Sequence, residues 1–184
     1  MKRFGLLFLL ILVISVPAFA QYPDGATGDI SAYADDQGTS CDLVANGGNA
    51  LIPLYIVHKF SDGGSATGSR FKVTVPTGVS VFGFNTTFVP IGSITSDMSL
   101  GYGVCISSTT SLGSVTAFST TASPACSYVS VMAADNFSDP ISTDCSFGEY
   151  KVEVGQAIVN NDGNCACNIA TQPSTWGKVK SLYR

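Results

Sequence analysis

Short stretches of alternating apolar and polar residues recur along the chain, punctuated by clusters of Gly, Pro, Asn, Asp and Ser. Phe71-Lys72-Val73-Thr74-Val75 alternates and stops at Pro76-Thr77-Gly78. Tyr150-Lys151-Val152-Glu153-Val154 alternates and breaks at Gly155. Successive side chains of a strand point to opposite faces, so each stretch predicts a strand with one face on a core and one in water. Residues 52–60 are apolar on both sides: Ile52, Leu54, Ile56, His58 and Phe60 on one, Pro53, Tyr55, Val57 and Lys59 on the other. That pattern reads as a central strand, with Pro53 near its start, where a missing N–H is tolerated. Strands at 30–34, 79–84, 87–91, 102–106, 114–119, 128–133 and 157–159 complete the set. Many short strands between turn signals predict an all-β domain over residues 21–170, an antiparallel β-sandwich of Ig-like or jelly-roll-like form. No segment before residue 170 has helical periodicity.

The pattern changes in residues 171–184. Trp176, Val179 and Tyr183 share one face of a helix, and Ser174 or Thr175 can cap its start. Lys178, Lys180 and Arg184 place positive charge toward its C-terminal end, which suits the helix dipole. A helix this short is marginal alone, so its Trp176 face is expected to dock on the sandwich.

The first 20 residues form a second exception. Lys2 and Arg3 precede a run dominated by Leu, Ile, Phe and Val, and Ala18-Phe19-Ala20 offers the small side chains of a cleavage site. Residues 1–20 therefore read as a signal peptide, with the mature chain starting near Gln21. The apolar run is short for a bilayer span, so no stable membrane insertion is expected after cleavage. The protein is expected to be secreted, periplasmic or extracellular. Cleavage removes two of nine basic residues and none of thirteen acidic ones, leaving seven against thirteen, a net −6. Such a charge repels phosphate backbones and makes nucleic acid an improbable partner.

Six cysteines, at positions 41, 105, 126, 145, 165 and 167, all follow the expected cleavage site. An even count in an oxidising compartment predicts disulfides among Cys41, Cys105, Cys126, Cys145, Cys165 and Cys167. Zinc ligation fits less well, because the closest pair is Cys165-Ala166-Cys167 and the single histidine is His58. Of fifteen possible pairings, the expected one joins Cys105 to Cys126 through a hairpin. Cys165 and Cys167, which would face the same side of a strand, then reach Cys41 and Cys145.

The remaining chemistry is sparse. His58 lies inside an apolar strand, unlike a loop-borne base, no G-x-S-x-G elbow is present and oxidised cysteines offer no thiolate, so His58 reads as structural. Asn160-Asn161-Asp162-Gly163-Asn164 resembles part of a calcium loop, but aligning its glycine puts Ile158 and Ile169 where oxygen ligands are required. It reads instead as a tight turn. Asp35-Asp36 with Asp42 is a looser candidate for calcium. Asn85-Thr86-Thr87 and Asn136-Phe137-Ser138 match the glycosylation tripeptide, which recurs by chance in a chain rich in Ser and Thr. No catalytic residue, metal ligand or cofactor is assigned.

Several motifs resemble an uncharacterised family of small secreted bacterial proteins. They are Gly28-x-Ile30-x-x-Tyr33-x-Asp35 leading to Thr39-Ser40-Cys41, Gly103-Val104-Cys105, Cys126-Ser127-Tyr128-Val129-Ser130-Val131 and Asp144-Cys145-Ser146. The run from Gly155 to Cys167 and the ending from Ser174 to Arg184 fit the same family. The resemblance implies a disulfide-bearing β-sandwich and supplies neither ligand nor catalytic residue. The expected function is a non-enzymatic binding, adhesion or structural role in the envelope or outside the cell, with an unknown protein or glycan partner. Tyr22, Tyr102, Phe118, Phe137 and Phe147 are candidates for an aromatic binding face. The alternative is a secreted hydrolase acting on glycans through paired acidic residues.

Overall fold

The computed structural model describes residues 24–43, 49–61, 63–120 and 123–167. The expected signal peptide, Tyr22 and the expected C-terminal helix lie outside them.

Eleven strands fill the described chain: β1 (Asp24–Tyr33), β2 (Asp42–Leu43), β3 (Ala50–Lys59), β4 (Ala66–Thr74), β5 (Val79–Asn85), β6 (Val89–Ser93), β7 (Asp97–Ile106), β8 (Thr110–Ser119), β9 (Ser127–Met132), β10 (Ile141–Thr143) and β11 (Glu149–Val159). The described residues contain no helix. Hydrogen bonding orders the main path β5-β8-β3-β1-β11-β10-β4-β7-β6. Two strands change partners along their length. β11 pairs with β1 and β10 up to Gly155, then with β9 and β2 from Gln156 onward. β4 pairs with β7 and β10 up to Phe71, then with β9 from Lys72. These exchanges fold the path over itself into a β-sandwich-like arrangement.

The alternation seen in sequence decides which side chains enter the space between the layers. Ile52, Leu54 and Ile56 of β3 meet Val115 and Ala117 of β8 and Ile30 and Ala32 of β1 in one buried cluster. Phe71 and Val73 of β4, Met98 and Leu100 of β7, and Val129 and Val131 of β9 close that cluster from the other layer. Truncating a fully buried member such as Leu54 or Phe71 to Ala costs about 2–5 kcal/mol. One polar line crosses this core: the Tyr102 hydroxyl donates to Ser69 Oγ at 2.8 Å and lies 3.1 Å from His58 Nδ1. His58 is fully buried and stacks on Phe60, ring centroids 4.1 Å apart, in a structural position.

Four expectations are corrected. Tyr150–Val154 and 157–159 are one strand, because Gly155 continues β11 opposite Ser31 and marks its change of partner. The short strands β2 and β10 carry too few residues to show alternation. The sheet is mixed, since β1 and β2 run parallel to β11 while the other pairings are antiparallel. Strands so distant in sequence are not held to the antiparallel sense by a hairpin.

The fourth correction concerns the disulfides, which are Cys41–Cys167, Cys105–Cys145 and Cys126–Cys165, with Cα separations of 6.0, 5.5 and 5.4 Å. Cys105 does not pair with Cys126, because β7 and β8 form no hairpin. β8 crosses to β3 and β5, and its ten residues carry the chain about 30 Å away before Cys126. There the Cys126 amide donates to the Asn160 carbonyl, which sets Cys126 beside the turn holding Cys165. Cys145 instead follows β10, which lies across β4 from β7 and so from Cys105. Of the expected links, the one from the Cys165–Cys167 segment to Cys41 is present.

Candidate functional site

The outward faces of β3, β8 and β5 form one open surface. Register places Leu51, Phe118 and Ser80 in one cross-strand row, Pro53, Thr116 and Gly83 in the next, and Tyr55, Ser114 and Asn85 in the third. Alternate residues of the same strands, Ile52, Leu54, Val115 and Ala117, point into the core. The surface is therefore the unburied half of the same alternation.

Its two ends differ in chemistry. At the first row Leu51 is 67% exposed, and Phe82 is 69% exposed with its ring edge-on to Phe118, centroids 6.2 Å apart. Phe82 reaches this face because β5 carries an extra residue between Val81 and Gly83, a bulge that re-aims its side chain outward. Hydrating an exposed cluster of Leu and Phe is unfavourable, so covering it would lower the free energy.

At the third row the surface sinks into a cleft of about 260 Å³, lined by Asp36, Tyr55, Asn85, Thr86, Thr87, Ser111, Leu112, Gly113 and Ser114. A second bulge shapes it: Ile56 opposes Gly113 and Val57 opposes Ser111, so Leu112 is the extra residue. Gly113 has φ +152°, and a Cβ there would meet the Asn85 carbonyl and the Phe84 ring. Only glycine lets β5 approach this closely. Thr86 then pins the connection after β5, its hydroxyl donating to the Leu112 carbonyl at 2.6 Å and accepting the Phe88 amide at 3.1 Å.

The loop between β1 and β2 forms the far wall. Asp35 organises it by turning its carboxylate onto its own backbone: the amides of Gln37, Thr39 and Ser40 donate to it at 3.0, 2.9 and 2.6 Å. These hydrogen bonds, led by the one from the Thr39 amide, hold its pKa below the ordinary carboxyl value. Lys59 Nζ donates to the Gly38 carbonyl at 2.6 Å and lies over the Tyr33 ring, fastening the loop to the sheet. Asp36 is left exposed at the cleft.

The other candidates fall elsewhere. Asp35, Asp36 and Asp42 do not converge: Asp42 accepts the Asn161 amide at 3.1 Å. Asn160–Asn164 is the tight turn expected, with Asn161 and Asp162 each accepting a backbone amide two residues on. Cys126, Asp162 and Cys165 bring ligand-type atoms within 4.8 Å of one another, but the two sulfurs are joined to each other and offer no thiolate. Among the described residues Asp36 is the one carboxylate lining the cleft. Asp29, whose burial raises its pKa, sits between Lys59 and Glu153 across the strands and is covered. Its partner is Ser31 Oγ at 2.9 Å.

Of the aromatic candidates, Tyr102 is in the core and Phe137 lies under Arg70, whose guanidinium carbon is 3.9 Å from the ring centre. Phe147 is 80% exposed on the β10–β11 turn, away from the β3–β8–β5 face. Among the described candidates Phe118 alone belongs to that face. Leu51 and Phe82 were not foreseen, because apolar residues on both sides of a strand predict burial on both. The available signal was the neighbouring outward series Pro53, Thr116 and Ser114, which is poor core material.

No family model matches the chain, and no curated protein matches it. Among solved structures it is similar to cohesin modules. The cohesin module of the family 33 glycoside hydrolase of Clostridium perfringens ATCC13124 superposes with a TM-score of 0.50 at 5% identity, covering 72% of this chain and 98% of that one. A non-cellulosomal cohesin from the hyperthermophilic archaeon Archaeoglobus fulgidus gives 0.47 at 12% identity, covering 73% and 92%. The sixth cohesin of scaffoldin B from Acetivibrio cellulolyticus, solved in complex with a Cel5 dockerin mutant, gives 0.43 at 16% identity, covering 73% and 98%. At such identities the likeness is one of fold.

Proposed function

We propose that this protein is an exported, non-enzymatic binding module of Ig-like or jelly-roll-like form, whose protein partner docks on the outward face of β3, β8 and β5. The observation that carries the reading is the solvent-facing cluster of Leu51, Phe82 and Phe118. Interfaces bury aromatic and aliphatic anchors at their centre and surround them with polar groups. This face has that composition, with Thr116, Ser80 and Ser114 around the anchors. A fold alone supports many functions, so the argument rests on the surface.

Export belongs to the same reading. Its support is the basic, apolar and small-residue sequence of residues 1–20, together with three disulfides, which persist in oxidising compartments. Among the described residues no helix is long and apolar enough to cross a membrane. Cleavage between Ala20 and Gln21 would separate residues 1–20 from the β-sandwich domain over residues 21–170, which residues 171–184 follow as a helical tail.

The test is site-specific photo-crosslinking from position 82 in the oxidised protein, offered to envelope and culture-supernatant proteins. A discrete adduct from position 82, absent from a crosslinker at Ile91 on β6, supports the reading. Identical adducts from both positions, or none from position 82, overturn it.

A further inference from the structure

We infer that the cleft at the polar end of this face binds a neutral pyranose ring. The cleft collects polar side chains that have no internal employment. The Tyr55 hydroxyl, the Asn85 amide and the hydroxyls of Thr87, Ser111 and Ser114 make no hydrogen bond within the described residues. Some short polar side chains nearby and elsewhere are spent on the fold: Asp35 on its loop, Thr86 on the Leu112 carbonyl, Asp144 on the amides of Ser146 and Gly148, Ser142 on the Gly68 carbonyl. What sets this place apart is that five uncommitted donors and acceptors line one concavity, where a single ligand can engage several of them.

The chemistry of the lining selects the ligand. Among the described residues no Lys, Arg or His lines the cleft and one carboxylate does, which disfavours phosphate, sulfate and carboxylate ligands. A single carboxylate is too few for a divalent cation, which takes about six or more oxygen ligands. Amide and hydroxyl groups both donate and accept, matching sugar hydroxyls that also do both. Tyr55 adds an aromatic surface on which ring C–H groups can pack. Asp36, whose Oδ1 accepts the Gln37 side-chain amide at 3.3 Å, can accept a sugar hydroxyl at Oδ2 in a charge-assisted hydrogen bond. A volume of about 260 Å³ is room for a single pyranose ring and lies just below the usual range for drug-sized ligand pockets.

The shape is built in. Gly113 cannot be replaced without striking the Asn85 carbonyl, and Thr86 fixes the rim, so Tyr55, Ser114 and Asn85 stay in register as a row. A preorganised row of donors loses little entropy on binding.

This inference does not depend on the protein-docking reading. The test is saturation-transfer NMR on the oxidised protein with methyl glucoside, methyl galactoside, methyl mannoside and N-acetylglucosamine, each at about 10 mM, suited to millimolar affinity. At least one sugar is expected to receive saturation. Asn85→Ala and Asp36→Asn should each weaken binding about tenfold, with unchanged thermal unfolding. Leu51→Ala with Phe82→Ala should leave the sugar signal intact, which separates this site from the docking surface. Absence of transfer to all four sugars, or transfer that survives the Asp36 and Asn85 double variant, overturns the inference.

Discussion

Cys105 and Cys145 stand 5.5 Å apart, Cα to Cα, across the end of β4, although 40 residues separate them in sequence. The bond links β7 to the turn after β10, and these elements meet because both pair with β4. Replacing both cysteines by Ala should lower stability by about 4 kcal/mol on the loop-entropy argument, and removing Cys41–Cys167, which spans 126 residues, by about 5. Urea unfolding of each double variant measures this, and the native protein should melt at lower temperature in reductant. Melting that reductant does not move would contradict it.

Tyr102 offers a separate test, of the core. Its hydroxyl is the link between Ser69 and His58 inside the sandwich. Tyr102→Phe keeps the ring, and its tilted contact with Phe88 at 5.0 Å, but removes that link. The expected loss is about 1–3 kcal/mol, the penalty for leaving buried polar groups short of a partner. A variant as stable as the parent would show that His58 and Ser69 find other partners.

Most of this architecture is legible in the sequence because it is periodic. The alternation in Phe71–Val75 reappears as buried and half-buried sides of β4, and the core series Ile52, Leu54, Ile56 as the buried side of β3. What the sequence withheld was topological or interrupted. β10 is three residues long, and the Cys105–Cys145 bond depends on which strands share β4. The candidate face was hidden for a different reason: Phe82 faces outward because of a bulge, and a one-residue insertion shifts alternation without changing composition. His58 was readable as structural from its apolar surroundings.

Two carboxylates should pull the pH profile in opposite directions. The folded pKa of Asp35 lies below its ordinary 3.8, chiefly through the Thr39 amide, so its contribution is present above that value and lost as pH falls through the lower folded one. Asp29 is raised above 3.8 by burial, so the folded protein holds its proton longer than the unfolded chain. Its contribution is full below 3.8 and declines as pH rises through the folded value. Asp35→Asn should therefore flatten the acid limb of a melting-temperature profile below 3.8. Asp29→Asn should flatten the decline above it and leave the neutral-pH protein no less stable. Profiles that coincide with the parent on both limbs would remove the assignment.

The docking surface makes the most demanding prediction, because it requires affinity and stability to separate. Leu51 and Phe82 are each about two-thirds exposed, so truncating them leaves no cavity, and Leu51→Ala with Phe82→Ala should change stability by about 0.5 kcal/mol or less. Phe118 is half-buried against Phe82 and is left in place to keep the sheet intact. If these side chains anchor the partner, losing both should weaken capture at least about tenfold, or 1.4 kcal/mol. Val89 and Ile91 on β6 are similarly exposed, at 62% and 67%, and supply the control. They sit on an edge strand where Pro90 denies one backbone donor, a feature that discourages strand addition. Val89→Ser with Ile91→Ser should leave capture unchanged. Equal loss in both variants would mean that exposed apolar area in general, and not the β3–β8–β5 face, drives association. Loss in the β6 variant alone would move the binding surface to that edge.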